Sequence, residues 1–385
     1  MAIDTEEPTA PAEPVAEEPG GSTARVATTI GLRAVAVVVG VIVAFIAIGQ
    51  AFDFMRDKDA NRFLVIAVAL AVGVGGIFVL FWAMDRAVNL LPRDISERVR
   101  PYAYVGPALV ILGVFLIYPV VNTIVLSFKD KTGSSFVGLD NYNFVFTDES
   151  MLRSIRNSML WIVLVPLFAV SIGLFFATLA DRLRRGEAIA KSLIFLPMAI
   201  SFVGASVVWR LIYSYRPQGF GSNVGLLNGI KLGLGQDPVA WLSQRPWNNL
   251  LLIVVMIWMQ TGFAMIVLSA AIKSIPDDIV EAARIDGASE LQVFRHITVP
   301  SVLPTIVVVT TYMIINAIKV FDIVFVMGGN AESNQTEVIA ERMIKWFFLS
   351  NNDGRGAAIA VVLFVAVIPV MIWNVRQFRQ QEALR

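Results

Sequence analysis

Eight apolar runs constrain this chain more than any other feature: 32–52, 62–84, 102–128, 157–180, 191–215, 248–272, 301–327 and 356–378. A helix rises about 1.5 Å per residue, so about 20 apolar residues cross the ~30 Å hydrocarbon core of a bilayer, and every run is long enough. Lipid offers backbone N–H and C=O groups no partner, so such runs fold as helices that satisfy their own hydrogen bonds. The expected fold class is therefore all-α, a polytopic membrane helix bundle of about eight transmembrane helices. Composition agrees, because 56% hydrophobic and 16% charged residues in a 385-residue chain are too apolar a mixture for a soluble domain.

The same sequence excludes several chemistries. It has no cysteine, hence no disulfide framework or thiolate metal site, and its single histidine, His296, rules out a histidine-cluster metal site. A net charge of +1 gives no case for nucleic acid. No G-x-x-x-x-G-K-[ST] occurs, and the glycine-rich stretch Gly73 to Gly76 lies inside an apolar run, where small residues let helices pack. The chain should hold no cofactor and do no catalysis of its own, so energy for any transport must come from a partner or a gradient.

Residues 1–31 read as a disordered acidic tail, with six carboxylates and no basic residue from Met1 to Ser22. A basic n-region, short apolar core and small-residue cleavage site of a secretory signal are lacking there. Two additional helices follow in 32–101, then a six-helix core in 102–379 and a short tail, 380–385. Positive residues in short loops mark the cytoplasmic face. Arg86, Arg93, Arg98, Arg100, Arg182, Arg184, Arg185 and Lys191 fall on one side, with Arg376, Arg379, Arg385 and both termini.

On that side lies the one interior polar segment that reads as a pair of capped helices, Lys273 to His296. Ser274 and Asp277 stand at capping-box spacing, Pro276 suits a first turn, and Asp277 and Asp278 place negative charge at a helix N-terminus. Ile279, Ala282 and Ala283 give a small apolar face, and Gly287 can end the helix in the left-handed region. Ser289 and Gln292 repeat the capping pattern, and Leu291 and Phe294 face the second helix. The segment has two readings, a knuckle that docks into another protein or an amphipathic loop lying on the membrane.

Glu281-Ala282-Ala283, three residues, Gly287, nine residues, then Ile297-Thr298-Val299-Pro300 resembles the EAA motif of the transmembrane subunits of ABC importers. Val299 stands where that family has leucine. Tyr118-Pro119, Ser127-Phe128 and Phe136-Val137-Gly138-Leu139-Asp140-Asn141-Tyr142 resemble the opening segment of sugar-type permeases, and Glu337 to Ala340 through Asn374 is similar to the alpha-glucoside permeases among them. The first two helices resemble the additional spans of the maltose-permease type, whose long external insertion has no counterpart here. The resemblance implies that Glu281, Ala282, Ala283, Asp286 and Gly287 form a coupling helix seated in the ATP-hydrolysing subunit. It also implies a second homologous permease, an ATP-binding subunit dimer that binds ATP and Mg, an extracytoplasmic solute-binding protein, and a bacterial plasma membrane location.

Polar side chains inside a span are costly and normally face a cavity or the bundle interior. Gln260 and Thr261 sit midway along the sixth run and Asn316 past the middle of the seventh, while Phe263 offers an aromatic face on which a sugar could stack. The amides serve equally as hydrogen-bonding glue between helices. Ser201 and Ser206 in the fifth run join the solute candidates through the family resemblance alone. Lys319 and Asp322, three apart, would share a helix face and neutralise each other, as a gating pair or as the coupling pair of a self-sufficient secondary transporter. The leading expectation is an ABC importer permease for a sugar or small oligosaccharide, with the secondary transporter and a permease for a non-sugar solute as alternatives.

Overall fold

The structure, a computed structural model, describes residues 39–40, 43, 46–57, 60–89, 92–183, 185–217, 225–328 and 335–382. The acidic tail and much of the first expected span, 32–52, lie outside these residues, although 46–56 are helical. The chain divides into two compact units, 1–119 and 120–385.

In the first unit, helix α1 (Arg62–Asn89) packs on α2 (Arg93–Leu112). Tyr104 donates to Asp85 at 2.9 Å, Arg100 to Asn89 at 2.7 Å, and Phe81 stacks on Tyr104. A π turn, Gly113–Ile117, then leads into α3 (Tyr118–Leu126). Its position has a covalent cause. In a regular helix the ring of Pro119 would strike the carbonyl of Phe115, four residues earlier, and the wider turn moves that carbonyl aside. The same arrangement recurs at Phe294–Thr298, which contains His296, four residues before Pro300.

The second unit is built on two long helices, α5 (Glu149–Asp181) and α9 (Trp247–Lys273). They cross closely because a Cβ on Gly173 would lie 2.5 Å from that of Ala264, so only glycine admits the approach. Trp161 donates its indole N–H to Asn249 at 2.9 Å, a buried polar tie between the two helices. Around this pair lie α4 (Asp140–Thr147), α6 (Glu187–Phe195), α7 (Phe202–Ile212), α8 (Leu226–Gly233), α10 (Asp277–Ile285), α11 (Glu290–Val293) and α12 (Val299–Ile318). Helices α13 (Asp322–Met327), α14 (Ile339–Ile344) and α15 (Asp353–Glu382) complete the chain order.

Among the described residues six helical segments are long and apolar enough to cross a membrane: Arg62–Asn89, Ile95–Leu126, Glu149–Asp181, Trp247–Lys273, Glu290–Ile318 and Asp353–Gln377. The fifth expected span is not straight. Glu187–Ala199 and Phe202–Ile212 meet at 98°, so the described spans number up to seven, against the expected total of about eight. The break follows from Pro197 and Ser201. Pro197 sits in a 3₁₀ turn, Leu196–Ala199, and the extended Ser201 restarts the chain as an N-cap, accepting from Gly204 N–H at 3.0 Å. Gly262 of α9 lies against this region, where a Cβ would come within 2.5 Å of the Ile194 carbonyl oxygen.

The seventh expected span, 301–327, is also corrected. Helix α12 ends at Ile318, Lys319 caps it, and α13 starts afresh at Asp322. Two connections between helices are ordered by buried amides. Asn228 bonds to the carbonyls of Ser214 and Val239, the Val239 N–H and the Trp241 indole. Asn141 donates to the carbonyls of Ser127 and Lys129, and Ser127 pairs with the Tyr142 hydroxyl at 2.6 Å. The pattern of residues 127–142 is thus a folded turn, closed by Gly138 at φ +61°.

Candidate functional site

The knuckle begins where α9 stops. Ser274, expected to cap the next helix, instead closes the preceding one by donating to the Ala271 carbonyl at 2.7 Å. Helix α10 starts after Pro276, with Asp277 and Asp278 in its first turn and Arg284 in its last, the charge order its dipole favours. Gly287 takes φ +83°. Its N–H bonds to the Arg284 carbonyl at 3.1 Å and the Ala288 N–H to the Ala283 carbonyl at 3.0 Å, the paired closure of a Schellman motif. Nothing lies within 4 Å of where a Cβ would stand, so backbone conformation, not crowding, is what calls for glycine here.

The Ser289 and Gln292 capping box forms as expected. What it opens is not a second short helix. Glu290–Val293 passes through the π turn into α12, so Glu290–Ile318 is one continuous segment and the elbow is the start of a membrane span. Glu281, Ala282, Asp286 and Gly287 are exposed and Ala283 is half-buried. Ile285 and Leu291 are also open, 79% and 73% exposed, apolar side chains on a polar segment.

Charged side chains brace this knuckle against the bundle. Glu290 accepts from Arg182, which caps α5, at 2.9 Å and from Arg284 of α10 at 3.0 Å. Next to Arg182, Asp181 accepts from Lys191 of α6 at 2.6 Å and from Ser269 of α9 at 2.7 Å. Glu187 also pairs with Lys191 at 2.6 Å and with Lys273. Between knuckle and bundle lies a cleft of about 500 Å³ whose lining includes Arg182, Lys273, Asp277, Arg284, Glu290 and Phe294.

The solute candidates fall into three kinds. Ser201, Ser206 and Thr261 bond to nearby backbone: Ser201 caps α7, Ser206 donates to the Phe202 carbonyl at 2.7 Å, and Thr261 to the Ile257 carbonyl at 2.7 Å. Phe263 meets Tyr312 of α12 with ring centroids 4.6 Å apart, and Asn316, one turn on, donates to the Tyr312 carbonyl at 2.9 Å. Gln260 is 3% exposed midway along α9. The buried Thr311 hydroxyl of α12 has no hydrogen-bond partner among the described residues. Sequence reading missed Tyr312 and Thr311, although Tyr312 sits four residues before Asn316 and hence on its face.

Lys319 and Asp322 are not on one helix face. The break at Lys319 to Phe321 separates them and they form no ion pair with each other, which removes the feature that favoured a self-sufficient carrier. A different charged group, also missed, is buried at the end of α5 opposite the knuckle. Glu337 accepts from Arg342 at 3.3 Å and Lys345 at 2.6 Å, Lys345 reaches Glu341 at 3.2 Å, and Arg342 donates to Ser150. Nearby, Asn157 and Ser158 of α5 bond to the backbone of Gln335, Glu337 and Ile339.

The family model described as "binding-protein-dependent transport system inner membrane component" matches residues 153–380, more than half of the chain. The chain belongs to that family. The permease is 55% identical to the osmoprotective compounds uptake permease protein GgtC of Synechocystis sp., over 73% of this chain and 100% of that one. It is 48% identical to the alpha-glucoside transport system permease protein AglF of Rhizobium meliloti, over 73% and 83%. Its fold matches a crystal structure of a bacterial ABC transporter involved in the import of the acidic polysaccharide alginate. That match has a TM-score of 0.66 at 24% identity and covers 75% of this chain and 98% of the other. The permease is thus a multi-pass membrane protein and the transmembrane subunit of an ABC importer, a class that works with an ATP-hydrolysing subunit and a solute-binding protein.

Proposed function

We propose that the permease carries a sugar or small oligosaccharide of the alpha-glucoside class by alternating access, with α10 as the coupling helix. The observation that carries the solute class is the 48% identity to a permease named for alpha-glucosides. The Phe263–Tyr312 pair beside Asn316 is chemically suited to it, since aromatic faces stack on the C–H faces of a sugar while amides bind hydroxyls. Glu281, Ala282, Ala283, Asp286 and Gly287 would meet a partner that binds ATP and Mg, as one of two copies. A second, homologous permease would complete the pore, with a solute-binding protein outside. The arginine-rich knuckle end would face the cytoplasm of a bacterial cell, as would both termini.

Identity to an uptake permease named for osmoprotective compounds favours a second reading, a small osmoprotective solute. The two separate in one measurement. ATPase activity of the assembled complex, stimulated by the loaded binding protein, should rise with alpha-linked disaccharides and not with small osmoprotective solutes. The opposite pattern would replace the first reading with the second. Uptake that persists in vesicles holding this chain alone, without the ATPase, would end the coupling assignment.

Gln260→Leu removes the amide of a buried side chain while keeping bulk in α9. Its uptake should show KM raised by about tenfold, the loss of roughly 1.4 kcal/mol of solute binding, with normal assembly. Unchanged KM would place Gln260 among the packing residues.

A further inference from the structure

The end of α5 near the knuckle carries two adjacent side chains of opposite charge, and each grips a different part of the molecule. Arg182 holds Glu290 at 2.9 Å, and Glu290 with its other oxygen holds Arg284 on the proposed coupling helix at 3.0 Å. Asp181 holds Lys191 of the bent span at 2.6 Å and Ser269 of α9 at 2.7 Å. Each of the three groups on the knuckle side sits where a helix dipole welcomes it: Arg182 and Arg284 at C-terminal ends, Glu290 in a first turn.

We infer that Asp181 and Arg182 form a transmission hub, through which displacement of α10 is handed to α5 and, through Lys191, to the hinge of the bent span. The inference rests on the reading of α10 as the coupling helix.

Burial separates the two halves of the hub. Arg182, Glu290 and Arg284 are each about half exposed, at 54%, 52% and 55% of their side-chain surface. Pairs so exposed add little to stability, because water and salt screen them. Their value lies in geometry: one carboxylate bound by two guanidinium groups fixes the angle between α10 and α5, which a single flexible pair would leave loose. The Asp181 side chain is only 11% exposed and Lys191 17%, so that half is held in a drier setting and does not shift independently of α6. Helix α6 is the arm of the 98° break, and Gly262 of α9 lies directly on its backbone at Ile194 and Phe195. Movement delivered at Lys191 therefore reaches the stretch of α9 that contains Gln260.

Positioning residues of this kind are recognised by the ratio of solute moved to ATP hydrolysed, measured in the reconstituted complex of both permeases, the ATPase and the binding protein. Arg182→Gln and Glu290→Gln should each lower that ratio at least about fivefold, the lower end of typical coupling between sites, while the complex assembles in normal yield. The double variant should be no worse than either single one, since both break the same link. Arg182→Lys, which keeps the charge, should restore most of the loss. An unchanged ratio in both single variants, or single effects that multiply in the double variant, overturns the hub. Gly287→Pro serves as the control: if it uncouples while the hub variants do not, the hub alone is wrong. If Gly287→Pro also leaves the ratio intact, the coupling reading of α10 fails and the hub with it.

Discussion

Gly287→Pro is expected to abolish coupled uptake while leaving the membrane spans inserted. At φ +83° the position is reached only by residues tolerant of the left-handed region, and proline is fixed near −65°. The substitution also removes the N–H that bonds to the Arg284 carbonyl and disfavours the helical conformation of Asp286 just before it. Helix α10 must then unwind its last turn or leave its present angle to the Glu290 segment. A strain of about 3 kcal/mol corresponds to roughly a 100-fold loss in the population holding the docking geometry. Alanine at the same place should cost about 1–2 kcal/mol, because the space around Gly287 is open and only the backbone is strained. Uptake by reconstituted vesicles, with insertion followed by protease accessibility, should therefore order the variants as glycine, alanine, proline. Full uptake by the proline variant would show that the elbow does not transmit force.

Glu337→Leu should produce the largest loss of stability. Glu337 is 2% exposed and takes both Arg342 and Lys345, so its removal takes a shared acceptor from the buried Arg342 and the half-buried Lys345. Breaking a buried pair from one side typically costs about 3–5 kcal/mol, far more than the pair contributes relative to an apolar replacement of both partners. Glu341 is the contrasting case. Burial pushes its carboxyl above the usual range, with Lys345 and Arg342 only partly opposing this and Glu337 reinforcing it. Its stabilising form is the protonated one, present below the ordinary glutamate pKa and lost as pH rises through the higher folded value. Glu341→Gln, which resembles that neutral form, should be nearly neutral in thermal unfolding of the detergent-solubilised permease and should flatten the loss of stability with rising pH. Equal destabilisation by the two variants would contradict the division of roles.

The candidate coupling site was legible in the sequence because its signals are local. Acidic residues beside Pro276, Gly287 and the Ser289/Gln292 box each act within one or two turns, and each took its expected place. Ser274 misled because a serine just outside a helix caps the one whose free groups it can reach, here the end of α9. The bend at Ile200 and Ser201 was hidden because hydropathy records how apolar a stretch is and says nothing of its direction. The Lys319 and Asp322 pairing failed for a related reason: three-residue spacing defines a shared face only while the helix continues.

Sequence by itself determined that this chain is a bundle of membrane helices with one exposed, glycine-hinged knuckle, since apolar length and cap chemistry are properties of consecutive residues. Tertiary structure alone decided which charges meet. Arg182 and Glu290 are 108 residues apart, Asp181 and Ser269 88, and Ser150 and Arg342 192. No periodicity links such positions. They come together because glycines such as Gly173 let α5 and α9 cross closely, and close packing of the long helices brings their ends within hydrogen-bonding reach.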